Sequence, residues 1–416
     1  MLLFASLQLL RGRRRMFNKI SFFITLLFTA FMGHSQGAEL SPLSKISLLT
    51  VGTGEELAAK FGHSAIRLQD PTLGIDEVYG YGTYDFEDPN FYLNFTRGKL
   101  AYTISRIPYK YFDYSYRQEQ RWVKEQVLNL NLEQRTQVFR FLEHNLLPEN
   151  KRYKYDFLFD NCATRIPLVF EKTLGSSFKF DYNYLVNKLT FRELIRLKLN
   201  PNTWSNFGID LALGSVIDRE ATPYEHLFLP IYVYEQMKHT TLNGRPIVKQ
   251  ESVLLDIPEQ QDSTLFLLTP AFWLGLILVV ISYITYTDYK NNRRSKWLDF
   301  SLFLLSGLAG TLIVFLWFGT DHLATKANFN ALWAFAPNTI VAFIVIKKEA
   351  PKWIITYTIY LMILLGVTSI LWIFKIQVFS ILLIIVLLAL ATRYLFLIYH
   401  FRKEFVTEKI KSNYPT

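Results

Sequence analysis

Long apolar stretches dominate the last third of the chain. Five of them hold few charged positions: residues 266–286, 298–318, 331–346, 353–373 and 378–399. An apolar helix needs about 20 residues to cross a bilayer, so this pattern predicts a bundle of about five transmembrane helices. The third stretch is short and contains Pro337 and Asn338, so we expect a kink there. Arg393 lies near the end of the fifth stretch, where its side chain is expected to snorkel to the interface.

Basic residues gather in the loops on one side of this predicted bundle. They follow the first, third and fifth stretches: Lys290, Arg293, Arg294, Lys296, Lys347, Lys348, Lys352, Arg402, Lys403, Lys409 and Lys411. The loops on the other side hold only Lys326 and Lys375. Because cytoplasmic loops carry the excess of Lys and Arg, the chain before the first stretch is predicted to lie outside the cytoplasm.

The N-terminus has the order of a secretory signal. A basic run at 13–19 precedes an apolar run at 20–32, and the small residues Ser35, Gly37 and Ala38 follow it. The apolar run is shorter than the about 20 residues of a span, which favours a cleaved signal peptide at 1–38 over an uncleaved anchor. Met16 is an alternative start, since a complete signal also follows it. Export agrees with the orientation that the loop charges predict.

Residues 39–264 are predicted to form one exported α+β domain. Short β-rich runs between turn residues predict strands at 46–51, 62–68, 77–81 and 101–107. Apolar residues at helical spacing predict helices at 118–127, 132–147 and 162–174. The polar stretch 255–263 is the predicted connection to the transmembrane domain at 265–416, which ends in a cytoplasmic tail.

Composition and cysteine usage narrow the function. The 416 residues are 50% hydrophobic, too apolar for one soluble domain, and much of the excess positive charge flanks the apolar stretches. We see no basic stripe with interleaved aromatic residues, so no nucleic acid partner is expected. Cys162 is the single cysteine, so it forms no intrachain disulfide. An unpaired thiol in an exported protein is either a nucleophile or a small buried hydrophobic residue, and the segments around it favour the nucleophile.

The neighbourhood of Cys162 suits a nucleophile. The predicted helix begins at Cys162, with Asp160 or Asn161 as its cap. Backbone N–H groups and the helix dipole there favour a thiolate and would hold an oxyanion. His63 starts a predicted strand and is expected to take the thiol proton. A third polar group should fix the imidazole, and the sequence does not choose among the candidates on the next predicted strand: Asp76, Tyr79 and Tyr81.

One further pair of polar residues lies on the same side of the predicted bundle. Asp321 and His322 occupy the outer loop between the second and third stretches. We expect them to form a wall of the active site or a contact with a lipid headgroup, or else to be solvated. No cluster of His, Cys and carboxylate residues has the spacing of metal ligands, so no metal and no cofactor are expected.

Several motifs around these residues form a recognisable set: Phe61-Gly62-His63-Ser64, Tyr79-Gly80-Tyr81-Gly82-Thr83-Tyr84-Asp85-Phe86, Asn90-Phe91-Tyr92, Gly98-Lys99-Leu100, Tyr155-Asp156-Phe157 and Asp160-Asn161-Cys162-Ala163-Thr164-Arg165. With the outer-loop run 320–333, they resemble the Bacteroidota lipoprotein N-acyltransferase family Lnb. The resemblance covers nearly the whole mature chain. Pro167 departs from it, because a polar residue is expected there.

The resemblance implies a permuted papain-like (NlpC-type) exported domain, with histidine before cysteine, followed by the transmembrane bundle. It implies that Cys162 takes an acyl chain from a phospholipid as a thioester. The N-terminal amine of a diacylglyceryl-cysteine lipoprotein would then accept the chain. The implied location is the bacterial inner membrane, with the catalytic domain on the periplasmic face.

Two other classes of protein stay open. A papain-like Cys hydrolase acting on peptidoglycan stem peptides or phospholipids would share Cys162 and His63 but pass the acyl group to water. A receptor or channel with an exported sensing domain would not need the thiol. Against the second class, the sequence pattern shows no buried acidic or basic relay in the predicted bundle.

Overall fold

The computed structural model describes residues 39–84, 90–99, 101–259 and 264–413, with side chains up to residue 407. The predicted signal peptide at 1–38 lies outside the described residues. An N-terminal α+β domain is followed by a helical region, as the alternation of strand and helix patterns and the later apolar stretches predict.

A seven-stranded antiparallel sheet forms the centre of the α+β domain, in the order β10-β5-β1-β2-β3-β4-β6. Its strands are β1 (Lys45–Val51), β2 (His63–Asp70), β3 (Ile75–Thr83), β4 (Ala101–Pro108), β5 (Val123–Leu128), β6 (Arg152–Lys154) and β10 (Val248–Leu255). A second, three-stranded sheet consists of β7 (Phe178–Phe180), β8 (Thr240–Leu242) and β9 (Arg245–Pro246). The four strands predicted for 46–107 are all present.

Helices cover both faces of the main sheet. The domain contains α1 (Phe91–Thr96), α2 (Tyr109–Gln118), α3 (Leu132–Leu146), α4 (Arg165–Leu174), α5 (Phe191–Arg196), α6 (Trp204–Ala212) and α7 (Pro230–Lys238). Alternate residues of β2 face opposite sides. Ile66 and Leu68 pack in the main core with α3, α4 and α7, whereas Ala65 packs in a smaller core with Phe112 of α2.

The helix predicted at 118–127 is wrong. Gln118 ends α2, and β5 begins at Val123. Val123 and Val127 lie four residues apart, a spacing that fits a helix. The strand forms instead because β5 pairs with β1 on one side and with β10 on the other. Tertiary pairing therefore overrides the local pattern.

The helical region has four helices long and apolar enough to span a membrane, among the described residues. They are α8 (Pro270–Lys290), α9 (Lys296–Phe318), α12 (Trp353–Ile373) and α13 (Leu383–Asn413). The third predicted stretch is broken into α10 (Asn330–Trp333) and α11 (Asn338–Val345), as the proline there predicts. Asn338 is buried at this break, where it bonds Ser306 of α9 (3.1 Å) and Tyr357 of α12 (2.6 Å).

Hydrogen bonds between loops show which loops lie at the same end of the bundle. Arg294, between α8 and α9, donates to the carbonyl of Val345 at the end of α11 (2.7 Å). At the opposite end, Gln377 after α12 accepts from the backbone N–H of Phe329 (2.7 Å). The short broken helix therefore carries the chain between the ends like a fifth crossing. The basic loops lie at the first end.

A buried ion cluster lies near the basic end of the bundle. Arg393 of α13 pairs with Asp288 (2.9 Å) and Asp299 (2.6 Å), and Arg294 also pairs with Asp299 (3.2 Å). All four side chains are buried. The expectation that Arg393 snorkels is wrong, because partners on two other helices neutralise the guanidinium within the bundle. The sequence pattern predicts no buried acidic or basic relay in the bundle, and these buried acidic and basic groups contradict that expectation.

The loop after α9, at the outer end of the bundle, is bonded to the α+β domain at two places. At the first, the backbone N–H of Asp321 donates to the carbonyl of Arg97 (2.9 Å), and Lys154 of β6 pairs with the Asp321 carboxylate (3.0 Å). At the second, the backbone N–H of Ser215 donates to the carbonyl of Ala327 (3.0 Å). Backbone bonds at both places hold the domain in a fixed position against the outer loop, residues 319–330.

The two ends of the bundle should face opposite sides of the membrane. In a Cys162→Ala background, we expect Leu323→Cys to react with a membrane-impermeant maleimide added on the side of the α+β domain. Asn291→Cys should react only after the membrane that the bundle spans is permeabilised. Both positions are exposed. Equal labelling of both without permeabilisation would contradict the five-crossing arrangement.

The ion cluster should stabilise the bundle. Arg393→Met leaves two buried carboxylates with fewer partners, and breaking a buried pair costs about 3–5 kcal/mol. We expect a clear drop in the thermal midpoint of the detergent-solubilised protein. Arg402→Met, an exposed arginine on the same helix, is the matched control and should leave the midpoint unchanged. Equal midpoints for both variants would argue that the cluster contributes nothing.

Candidate active site

Asn161 builds the turn that contains Cys162. Its buried side chain accepts from the backbone N–H groups of Ala163 (2.8 Å) and Thr164 (2.9 Å). Its amide nitrogen donates to two backbone carbonyls (2.7 and 2.8 Å). A side-chain amide offers two donors and two acceptor positions, so every one of them is used. The turn before α4 is therefore held in one conformation.

The sequence predicts Cys162 in the first turn of helix α4, but the structure puts it before that helix. The helix begins at Arg165, three residues later, because the Asn161 side chain binds the intervening N–H groups in a turn. Pro167 is the third residue of α4. The N–H groups of the first turn have no partner within a helix, so the proline costs no helical hydrogen bond.

A β-bulge at Gly82 opens the main sheet beside Cys162. Pairing of β2 with β3 begins at Ala65 and Gly80, and the register of β3 against β4 shifts next to Gly82. Gly82 has a φ of +94°, and a Cβ there would lie 3.7 Å from the Cβ of Cys162. This left-handed backbone favours glycine. The bulge thus leaves a gap in the sheet into which the cysteine fits.

The first residues of β2 meet Cys162 in this gap. Ser64 lies before the first β2–β3 pair, so its backbone N–H is available on that side and donates toward the Cys162 sulfur. His63 directly precedes Ser64 in the chain. The structure therefore brings Cys162 and His63 to the same corner of the sheet, although roughly a hundred residues separate them in sequence.

His63 lines a cavity of about 290 Å³ between the sheet and α2. Its Nε2 lies 3.5 Å from the point that a Cβ of Gly80 would occupy, and the Oγ of Ser105 on β4 lies 3.8 Å from the same point. Among the described residues, the His63 ring makes no hydrogen bond. Since Gly80 has no side chain, open space separates the imidazole from the Ser105 hydroxyl.

Arg121 supplies positive charge to this corner of the sheet. Its buried guanidinium donates to the carbonyl of Gly52 (2.9 Å) and pairs with Glu119 (2.8 Å). Its Nη2 is buried and has no hydrogen-bond partner among the described residues. A buried charge acts strongly on its neighbours because little water screens it. Arg121 therefore influences both His63 and Cys162.

Burial sets the protonation of both residues. It lowers the pKa of His63 to about 4, with a further contribution from the positive charge of Arg121. Burial also raises the pKa of the Cys162 thiol, although the N–H groups of Ser64 and Ala163 and the charge of Arg121 oppose this. A neutral imidazole and a neutral thiol are thus the forms at pH 7. The backbone N–H groups favour the thiolate, as expected from the sequence, but burial outweighs them.

The three residues considered as partners of His63 are engaged elsewhere. The hydroxyl groups of Tyr79 and Tyr81 bond side chains of α3 (2.7 and 2.8 Å), and both rings lie in the main core. Asp76 pairs with Arg67 (2.7 Å) near the other end of β3. The structure does not bring these groups to the imidazole.

Asp321 and His322 hold the outer loop onto the domain. Asp321 pairs with Lys154 (3.0 Å), and His322 Nε2 donates to the carbonyl of Phe95 in α1 (3.0 Å). Their described contacts are with α1 and β6, not with Cys162. Elsewhere, the described residues hold no group of three or more His, Cys, Asp or Glu side chains that could bind a metal ion.

Three groups at this corner were missed by sequence reasoning. The backbone N–H of Ser64, the hydroxyl of Ser105 and the guanidinium of Arg121 reach the site only through strand pairing. Gly80 and Ser105 are cross-strand partners, and that register is not readable from local composition. The only signal in the sequence was the glycine pair at positions 80 and 82, which marks a close approach.

The corner that holds Cys162 lies at the end of the sheet nearest the bundle. His63 begins β2, Thr83 ends β3, and Lys154 ends β6, so strand pairing puts all three at one end. Lys154 is the residue that pairs with the outer loop. The end of the sheet with the thiol and the imidazole therefore faces the outer surface of the bundle.

Comparison with known families agrees with these two parts of the chain. The family model of the Lnb N-terminal periplasmic domain matches residues 38–196, and that of the Lnb transmembrane domain matches residues 259–404. No curated protein and no solved structure matches the chain. The two models follow each other in order and together cover well over half of the chain, so it belongs to the Lnb family, with an Lnb periplasmic domain joined to an Lnb transmembrane domain.

Proposed function

We propose that this protein is a lipoprotein N-acyltransferase of the inner membrane that works through a thioester on Cys162. The observation that carries the proposal is the position of Cys162. It lies in a gap of the sheet beside His63, at the sheet end that is bonded to the outer loop of a transmembrane bundle. Membership of the Lnb family supports the same activity.

The first half-reaction loads the thiol. The neutral imidazole of His63 accepts the thiol proton as the sulfur of Cys162 attacks an ester carbonyl of a phospholipid. The carbonyl oxygen becomes an oxyanion, for which backbone N–H groups around the sulfur are suitable donors. When the ester C–O bond breaks, His63 returns the proton to the glycerol oxygen. A lysophospholipid leaves, and the acyl chain stays on Cys162.

The second half-reaction transfers the acyl chain from Cys162 to the acceptor. The N-terminal amine of a diacylglyceryl-cysteine lipoprotein attacks the thioester carbonyl. The C–S bond breaks, an amide forms, and one proton passes from the amine through His63 to the sulfur. The free thiol is restored without any cofactor or net redox change. Water in place of the amine would give hydrolysis, so the acceptor decides between transferase and hydrolase.

Ser105 is the proposed positioning residue for His63. Its hydroxyl faces the imidazole across Gly80, where no side chain intervenes. A small rotation of the imidazole would let Nε2–H donate to the hydroxyl, which leaves Nδ1 free to accept the thiol proton. Ser105 already accepts a hydrogen bond from Thr83 (2.8 Å), so its orientation is fixed.

A membrane bundle under the site has a physical reason. Moving an acyl chain from lipid into water costs about 0.8 kcal/mol per CH₂, or roughly 12 kcal/mol for 16 carbons. Both proposed substrates are anchored in the bilayer by such chains. A thiol held at the outer end of the spans meets the ester at the membrane surface, so neither substrate has to leave the lipid.

Replacing the nucleophile should abolish transfer. We expect Cys162→Ser and Cys162→Ala to lower acyl transfer by at least about 10³-fold, since neither offers a thiol. Their thermal midpoints should stay close to that of the unaltered protein. The measurement is mass spectrometry of lipoprotein N-termini after incubation with phospholipid vesicles. Substantial activity in the alanine variant would refute the thioester. If the unaltered protein released free fatty acid and acylated no amine, the phospholipid hydrolase would be favoured instead.

Removing the charge of Arg121 should shift the pH dependence upward. The positive charge lowers the pKa of both His63 and Cys162, so Arg121→Met should raise both. His63 must be neutral to act as a base, so the acid limb of the activity profile, expected near pH 4, should move to higher pH. Alkylation of Cys162 by iodoacetamide should also need higher pH.

Arg121→Lys is the matched control for this experiment. It keeps the charge while losing the planar guanidinium, so its acid limb should stay near that of the unaltered protein. If the methionine and lysine variants shift by the same amount, the effect comes from lost packing and not from charge. The proposed electrostatic role of Arg121 would then be wrong.

A further inference from the structure

Helix α1 presents apolar side chains that the described residues do not cover. Tyr92, Leu93 and Phe95 are 78%, 53% and 54% exposed, whereas Phe91, whose ring stacks on that of Phe95 (centroids 6.2 Å apart), is buried. Large apolar side chains grouped on one short element mark a contact surface more often than chance exposure does. The neighbouring structure identifies what this surface meets.

The position of α1 is fixed relative to the membrane. Span α9 ends at Phe318, and the loop that follows bonds directly to α1. Asp321 donates to the carbonyl of Arg97, and His322 donates to that of Phe95. A Cβ on Gly98 would lie 2.9 Å from the backbone nitrogen of His322, so the two segments are in close contact. Only a few residues separate this contact from the end of a span, which puts α1 at the bilayer surface.

The charges around α1 suit the headgroup layer. Arg97 and Lys99 are exposed just after the helix. The charges of Lys154, Lys99 and Lys326 surround Asp321 and hold its pKa below the usual range, with the Lys154 hydrogen bond as the main cause. One acidic group among several basic ones leaves a positive surface. Apolar side chains beside basic ones are typical of elements that lie in a membrane interface.

Aromatic rings join α1 to the thiol. Phe91 contacts Tyr84 (ring centroids 5.6 Å apart), and Tyr84 contacts Tyr102 (5.3 Å). Tyr102 stacks on Tyr155 (4.1 Å). Tyr155 is close enough to Cys162 that a thiolate there adds to the effect of burial in raising the tyrosine pKa. A row of packed aromatic rings therefore runs from α1 to the nucleophile.

We propose that α1 inserts Tyr92, Leu93 and Phe95 into the outer leaflet of the membrane that the bundle crosses, where they form the wall along which a phospholipid acyl chain reaches Cys162. The route to the thiol rests on the proposed acyltransferase function. Insertion itself does not, so the two can be tested separately.

Insertion is tested with an environment-sensitive probe. In a Cys162→Ala background, Leu93→Cys is labelled with the fluorophore NBD and reconstituted in phosphatidylcholine–phosphatidylethanolamine vesicles. We expect a blue-shifted emission that lipids carrying a nitroxide on the acyl chain quench. Leu73→Cys is the control, because Leu73 is also exposed (47%) but lies in the turn between β2 and β3, at the far end of the sheet.

Each result of the probe experiment either supports or overturns the insertion of α1 into the membrane. Emission typical of water at both positions overturns it. A blue shift at position 93 without quenching by the lipids also overturns it, because a protein surface would then cover α1. This readout needs no enzymatic activity, so it stands even if the proposed acyl transfer fails.

The route to the thiol is tested with variants of the active protein. Leu93→Asp should lower acyl transfer from vesicle phospholipid about tenfold, since a charged side chain replaces an apolar contact. Leu73→Asp should leave transfer unchanged, and the thermal midpoints of both should match that of the unaltered protein. Transfer at the unaltered rate by Leu93→Asp would overturn α1 as a wall for the substrate, and so would a loss that merely follows a lowered midpoint.

Discussion

A backbone N–H inside a sheet needs a hydrogen-bond partner. The candidate site lies at Ser64, where the neighbouring strand β3 offers no acceptor for that N–H group. The bulge at Gly82 ends the pairing of β3 with β2 one residue before Ser64. Without a sulfur in that gap, a buried donor would be left unsatisfied, which costs about as much as a lost hydrogen bond. Cys162 therefore completes the sheet as well as occupying the site. The same contact brings Cys162 close to His63, since Ser64 and His63 are adjacent at the start of β2.

The attachment of the domain to the bundle fixes where the Cys162 corner lies relative to the membrane. Main-chain atoms of the outer loop bond to main-chain atoms of the domain near α1 and again after α6. Main-chain bonds do not depend on which side chains are present, so the relative position of thiol and bilayer is set by the path of the backbone. Gly98 and Gly214 permit the close approach, because a Cβ on either would collide with the loop. The loop residues Asp321 and His322 thus help to hold the Cys162 corner in position against the bundle.

The sequence predicts the residues of the site better than their surroundings. The single cysteine and the histidine at a strand start stand out because of their chemistry and position, and four strands and helix α3 follow from periodicity. The imidazole's neighbour could not be chosen, because cross-strand register decides it. Tyr79 and Tyr81 fall on the core face, while Ser105 on a strand not considered reaches the space over Gly80. Likewise, Val123 and Val127 fit helix and strand alike, and only the partners of β5 decide. Arg393 shows the same limit, since its two carboxylate partners lie on helices about a hundred residues earlier.

That ion cluster also bears on how the bundle is made. As an isolated segment, α13 would bring an unpaired arginine into the bilayer, at a cost of about 2.5–3.5 kcal/mol. Both carboxylates that neutralise it belong to α8 and α9, which leave the ribosome first. The last helix therefore finds its counter-charges already in the membrane, and two arginines and two aspartates give a cluster without net charge. Assembly of the bundle then follows an order, in which the hairpin of α8 and α9 is the docking site for the final span. A chain truncated before α13 keeps two buried aspartates, and the buried Arg294 pairs with only one of them.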